Sequence, residues 1–126
     1  MTIGLSKLAA VERLTAWATK YDNIQLHIGD PGANGTANVA AESTRIAVTW
    51  GTPDDSVAGV VTLTHTNDLV VTTAAATEDW THLSHWDAPT TGDFGGSGTI
   101  TADAITVGSD RTFPAGAVIV TVPVAA

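Results

Sequence analysis

Two spacings of apolar residues divide the chain. Between residues 5 and 21 they recur at helical intervals. Ala10, Leu14, Trp17, Ala18 and Tyr21 form one stripe, widened by Leu8 and Val11, while Lys7, Glu12, Arg13 and Lys20 fall mostly off it. Ser6 stands where an N-cap is needed, and Asp22-Asn23 ends the helix. From residue 23 onward the interval is two, the period of strands. Ile24, Leu26 and Ile28 alternate with Gln25 and His27, and later Ile46, Val48 and Trp50 alternate with Arg45, Ala47 and Thr49. Between these two half-buried strands the turn Gly29-Asp30-Pro31-Gly32 and the pair Asn34-Gly35 open a loop longer than ordinary connections. Loops of that length commonly serve surfaces that bind, which makes Asp30, Pro31 and Asn34 candidate contact residues.

The remaining chain alternates between short strands and turns. Residues 57–63 and 69–73 read as a strand pair joined by Thr66-Asn67-Asp68, and residues 74–79 as a connector. Residues 80–87 form a second aromatic strand, with Trp80, His82, Ser84 and Trp86 on one side and Thr81, Leu83, His85 and Asp87 on the other. Residues 87–93 are rich in turn formers. Gly95-Gly96-Ser97-Gly98 lacks the lysine and helix of a phosphate loop and reads as a flexible segment. A strand over 99–107, interrupted at Asp103, and a last strand over 117–122, stopped by Pro123, complete the series. The pattern predicts a mainly β fold: an antiparallel β-sandwich, jelly-roll-like, of about seven or eight strands with one N-terminal helix packed on it. The expected organisation is a single domain over 1–126, with the helix at 5–21 and the sandwich at 23–124.

Composition sharpens this picture. Charged residues make up only 14% of the 126, and five Lys and Arg stand against thirteen Asp and Glu, a formal charge of −8. That balance disfavours nucleic acid and anionic membrane surfaces as partners. The absence of cysteine removes disulfides, thiolate metal sites and cysteine nucleophiles. No apolar run reaches the length of a membrane span, and the first residues lack the pattern of a secretion signal.

Candidate chemistry is sparse. His82 and His85 suggest a metal pair, but positions three apart on a strand face opposite ways. Asp54-Asp55 lacks the spacing of a calcium loop, and no serine sits in a G-x-S-x-G elbow. These readings predict no enzyme, no metal and no cofactor. Trp80 and Trp86 on one face, with His82 between them, could stack on a sugar or fill a core or an interface. Trp17 and Tyr21 are candidates for contact with a neighbouring subunit.

The order of motifs resembles a family of small virion structural proteins of tailed bacteriophages. The resemblance is carried by Leu26-His27-Ile28-Gly29-Asp30-Pro31-Gly32, the small-residue loop Gly35 to Glu42, and the strand Arg45 to Trp50. Further along it continues through residues 80–87, Thr91-Gly92-Asp93 and Thr112-Phe113-Pro114-Ala115-Gly116. Ser43-Thr44 replaces the aromatic-Ala pair that precedes the arginine in that family. The resemblance implies a non-enzymatic structural protein of the virion, assembled in the host cytoplasm, with other virion proteins as partners. No internal repeat of the kind that builds a fibre shaft is visible. That absence favours capsid decoration, as a homo-oligomer such as a trimer, over the alternative of a minor tail or tail-fibre protein with a carbohydrate-binding role.

Overall fold

The structure, a computed structural model, describes residues 4–125. One helix, α1 (Lys7–Lys20), is followed by eight strands: β1 (Asn23–His27), β2 (Ile46–Ala47), β3 (Val60–Thr64), β4 (Leu69–Val71), β5 (Glu78–Trp86), β6 (Phe94–Ile105), β7 (Arg111–Phe113) and β8 (Ile119–Pro123). They form an antiparallel four-stranded sheet of order β2-β1-β5-β6 and two antiparallel ladders, β3-β8 and β4-β7. The mainly β, sandwich-like class predicted from the pattern is what the structure shows. Its second layer is two short ladders rather than one continuous sheet.

The helix begins as its sequence dictates. Ser6 Oγ accepts from the Ala9 amide, 3.1 Å away, which satisfies one of the free N–H groups of the first turn. Ala10 and Leu14 bury their side chains against Val61 and Leu63 of β3, with Val11, Trp17 and Ala18 alongside. Leu8 departs from the expected stripe and stands exposed. Two further clusters fill the space between the four-stranded sheet and the β4-β7 ladder. Leu26, Val71, Trp80 and Ile105 anchor one, and Ile24, Leu69, Leu83 and Val118 the other.

Three expectations are corrected here. The segments around β3 and β4 do not pair with each other. β3 pairs with β8 and β4 with β7, because the C-terminal strands bring Val122, Val120 and Phe113 opposite Val61, Leu63 and Leu69. Residues 94–98 are not a flexible loop; they form the first half of β6, opposite Ser84, His85 and Trp86. β1 is buried on both faces rather than half-buried. Its polar face lies under the long loop of residues 28–45, which folds back on the sheet, while Ile28 beyond its end is exposed.

Candidate functional site: a sealed loop end and an open cleft

The loop of residues 28–45 is held down by a polar chain crossing β1 and β5. In register, Gln25 stands opposite Ser84 and His27 opposite His82. His27 Nδ1 lies 2.8 Å from the Ala37 carbonyl and its Nε2 2.7 Å from Ser84 Oγ. The carbonyl can only accept, so Nδ1 carries the hydrogen and Nε2 accepts from the Ser84 hydroxyl. Ser84 Oγ in turn accepts from Trp86 Nε1 at 2.7 Å. Burial lowers the His27 pKa and keeps the ring neutral, with the Ala37 and Asn38 carbonyls opposing that shift. A Ser–His pair at this distance has the form of an activated nucleophile, but both side chains are fully buried. Both ring nitrogens of His27 and the Ser84 hydroxyl are engaged in structural hydrogen bonds.

Arg45 closes the same end. Its guanidinium lies over the Trp86 ring, 4.0 Å from the centroid, and donates to the carbonyls of Ala88 at 2.8 Å and Thr91 at 2.6 Å. The other side of the end is closed by Phe94, whose ring lies 5.5 Å from that of Trp86. A side chain at Gly35 would run into Phe94, and its φ of +72° suits glycine, so the loop turns there on the one residue that fits. Glu78 caps the loop's far end, accepting from the amides of Ala41 and Glu42 and from Trp80 Nε1. Burial works to raise the Glu78 pKa, but these hydrogen bonds outweigh it and the net shift is downward.

The candidate residues from the sequence fall in different places. Trp80 is completely buried and Trp86 is 6% exposed, so neither offers the open ring face a sugar needs. They also sit in different surroundings, Trp80 near Phe113 and Trp86 beneath Arg45, with a register irregularity in β5 between Trp80 and His82. This corrects the shared stacking face. His82 is half-buried, near Thr81 Oγ1 and across from His27, on the sheet face opposite His85. Pro31 is buried, whereas Asp30 and Asn34 are exposed at the loop tip, where Asp30 Oδ1 accepts from the Gly32 amide. Trp17 and Tyr21 are half-buried at the helix C-terminus.

Those two aromatics lead to a second region that the sequence did not reveal. Trp17 contacts Tyr21, Trp50 and His85, with ring centroids at 5.6, 5.5 and 4.9 Å, and its Nε1 donates to the Gly95 carbonyl at 3.1 Å. A side chain at Gly95 would collide with the Tyr21 ring, so the helix end can approach β6 only at glycine. Beyond this cluster opens a cleft of about 910 Å³, walled by consecutive residues of β6 (95–101) and of the β8 arm (117–122). Leu83, Ile100, Phe113 and Trp17 give it an apolar lining, and Arg13 stands at its side. His85 also lines it. Its Nδ1 is buried without a hydrogen-bond partner, and burial lowers its pKa to about 4.

Neither region has the arrangement of a metal centre, for among the described residues no cluster of three or more His, Asp or Glu could hold an ion. Nor is any helix among them long and apolar enough to cross a membrane. Residues 8–121 match the family described as Podophage GP4 fiber I protein gp80. The chain belongs to this family. It is a structural protein of a tailed-phage virion, as the order of motifs implied. None of the curated proteins compared with it matches. In this fibre family member, the matched span includes nearly all of α1, the sealed loop end, the β6 wall of the cleft and most of β8.

Proposed function

We propose that the protein is a non-catalytic fibre component of the phage tail, associating with other tail proteins. The observation that carries this reading is the family match over residues 8–121, whose description is that of a podophage fibre. It supports a place at the tail over the capsid-decoration role favoured from the lack of repeats. The structure adds support for a non-catalytic role. The Ser84–His27 pair is sealed, and the buried polar groups at the loop end hold residues 28–45 in place. A glycan contact, if this fibre makes one, falls to exposed residues at the loop tip such as Asp30 and Asn34, since Trp80 and Trp86 are inside.

The test is immunogold electron microscopy of purified particles, with heads and tails also separated and each fraction probed for this chain. Gold on fibres, and the chain in the tail fraction, is the expected result. Regular labelling over the head would return the protein to capsid decoration. No labelling on particles, with the epitope accessible, would remove it from the virion.

A further inference from the structure

We propose that Asn34 is a self-modification site, at which the tip of the long loop converts from asparagine to aspartate and isoaspartate. The chemistry needs only water. The Gly35 main-chain nitrogen, losing its proton to base, attacks Asn34 Cγ. A C–N bond forms, the Cγ–Nδ2 bond breaks and ammonia leaves, which gives a five-membered imide. Water then opens one of the two imide C–N bonds. Opening at Cγ gives aspartate with the main chain unchanged. Opening at the main-chain carbonyl carbon gives isoaspartate, in which the main chain runs through the former side chain. Glycine in the next position favours this attack, since it has no Cβ to crowd the approach and turns through conformations that other residues avoid.

The structure singles out this asparagine from the four in the chain. Asn23 is buried in β1, its side chain donates to Asp22 Oδ1 at 2.9 Å, and the β-branched Ile24 follows it. Asn38 donates to the Asp30 carbonyl at 2.9 Å, with the β-branched Val39 next in the chain. Asn67 is fastened at both atoms of its carboxamide: Oδ1 accepts from the Thr49 amide at 2.8 Å and Nδ2 donates to the Ala47 carbonyl at 3.1 Å. Asn34 alone combines exposure, a side chain with no hydrogen bond among the described residues, and a glycine after it. Its carboxamide is free to rotate toward the main chain and is open to water.

The turn itself restrains the reaction. The Gly35 amide donates to the Gly32 carbonyl at 3.2 Å, the long end of the hydrogen-bond range. Gly35 is buried against Phe94. The nitrogen is therefore released when the tip lifts, an opening that costs less at an exposed loop tip than in a core strand. The products act on the same turn. Aspartate adds a negative charge to a tip that already carries Asp30. Isoaspartate inserts an extra main-chain carbon inside the turn closed by the Gly32–Gly35 and Pro31–Ala37 bonds, so the turn cannot close as before, while Glu78 still holds the loop's far end. Any effect on a glycan contact at this tip rests on the function proposed above; the conversion itself does not.

The experiment is incubation of the full chain in warm, mildly alkaline buffer, both folded and unfolded in guanidinium chloride, with N34Q alongside. Peptide mapping by mass spectrometry locates each conversion, and electron-transfer fragmentation separates isoaspartate from aspartate. In the folded chain, conversion at Asn34 should run at least about tenfold faster than at any other asparagine, with both products present. Unfolding should accelerate it. N34Q, whose longer side chain must close a six-membered ring, should lose the acidic form seen on ion exchange and keep the melting temperature. A folded chain whose Asn34 stays intact while the unfolded chain converts overturns the proposal. So does equal conversion at Asn38 or Asn67, or an acidic form that persists in N34Q. Aspartate without isoaspartate would also overturn it, by showing direct hydrolysis of the side chain in place of closure on Gly35.

Discussion

The two ends of the main sheet solve opposite problems. At the loop end, buried and half-buried polar groups find partners: Arg45 on carbonyls and an indole ring, His27 on Ala37 and Ser84, Glu78 on amides. At the cleft, apolar side chains and a strand edge stay open, and His85 Nδ1 has no partner. A buried polar network rigidifies when fully satisfied, whereas a half-finished edge is a place for another molecule. The comparison teaches that the loop with the sequence marks of a binding surface is largely structural. The segment that reads as a linker is the one left available.

The comparison breaks first if Trp86 proves dispensable. Its ring supports Arg45, packs on Phe94 and donates to Ser84, so W86A should cost about 3–5 kcal/mol in chemical denaturation. A loss under about 1 kcal/mol would mean that the loop end does not hold the fold.

A pH titration of stability tests the cleft side. His85 has a folded pKa of about 4 against an ordinary 6.5, so between those values the unfolded chain binds a proton that the folded chain does not. Stability present at neutral pH should therefore fall as pH drops through that window, by about 3 kcal/mol from this group. His27, shifted the same way, adds to the slope. Glu78, shifted down, contributes only further into acid, below the ordinary carboxylate range. Replacement H85L should reduce the slope between pH 6.5 and 4 by roughly one proton. An unchanged slope would show that the ring is not held neutral in the cleft.

A smaller effect is expected of S84A. It leaves His27 Nε2 and Trp86 Nε1 buried without their shared partner, at about 1–3 kcal/mol for such a loss. Combining it with W86A should give less than the sum, because both act through the same hydroxyl. Strict additivity in a double-mutant cycle would argue against a connected chain.

What could be read from the sequence was local. Ser6 and the Ala10–Leu14–Trp17 stripe act within one helix, and the alternation around Ile24 and Ile46 sets which side chains share a face. The unread part depended on residues brought together from afar. His27 and Ser84 lie 57 positions apart, and only the β1–β5 register unites them. Adjacent short strands invited a hairpin reading of β3 and β4, yet their partners come from the C-terminal quarter of the chain. Gly95 to Gly98 looked like a linker because glycine is poor in strands. Here it serves close approach instead, admitting Tyr21 at Gly95 and leaving the edge bare at Gly98. His85 drew notice only as half of a metal pair, since nothing in the alternation marks a buried ring without a partner.

The smallest effect expected on the monomer is that of S97K, and it sharpens the contrast most. Ser97 is exposed on β6 and takes part in no side-chain hydrogen bond among the described residues, so the lysine should change unfolding free energy by no more than about 0.5 kcal/mol. At the loop end every substitution argued above acts through folding. At the edge, a lysine facing solvent should leave folding untouched, because it displaces no buried contact. Melting temperatures of S97K and W86A measured side by side separate the two. A large loss of stability from S97K would show that this edge is already part of the finished fold and that the two regions do not differ in kind.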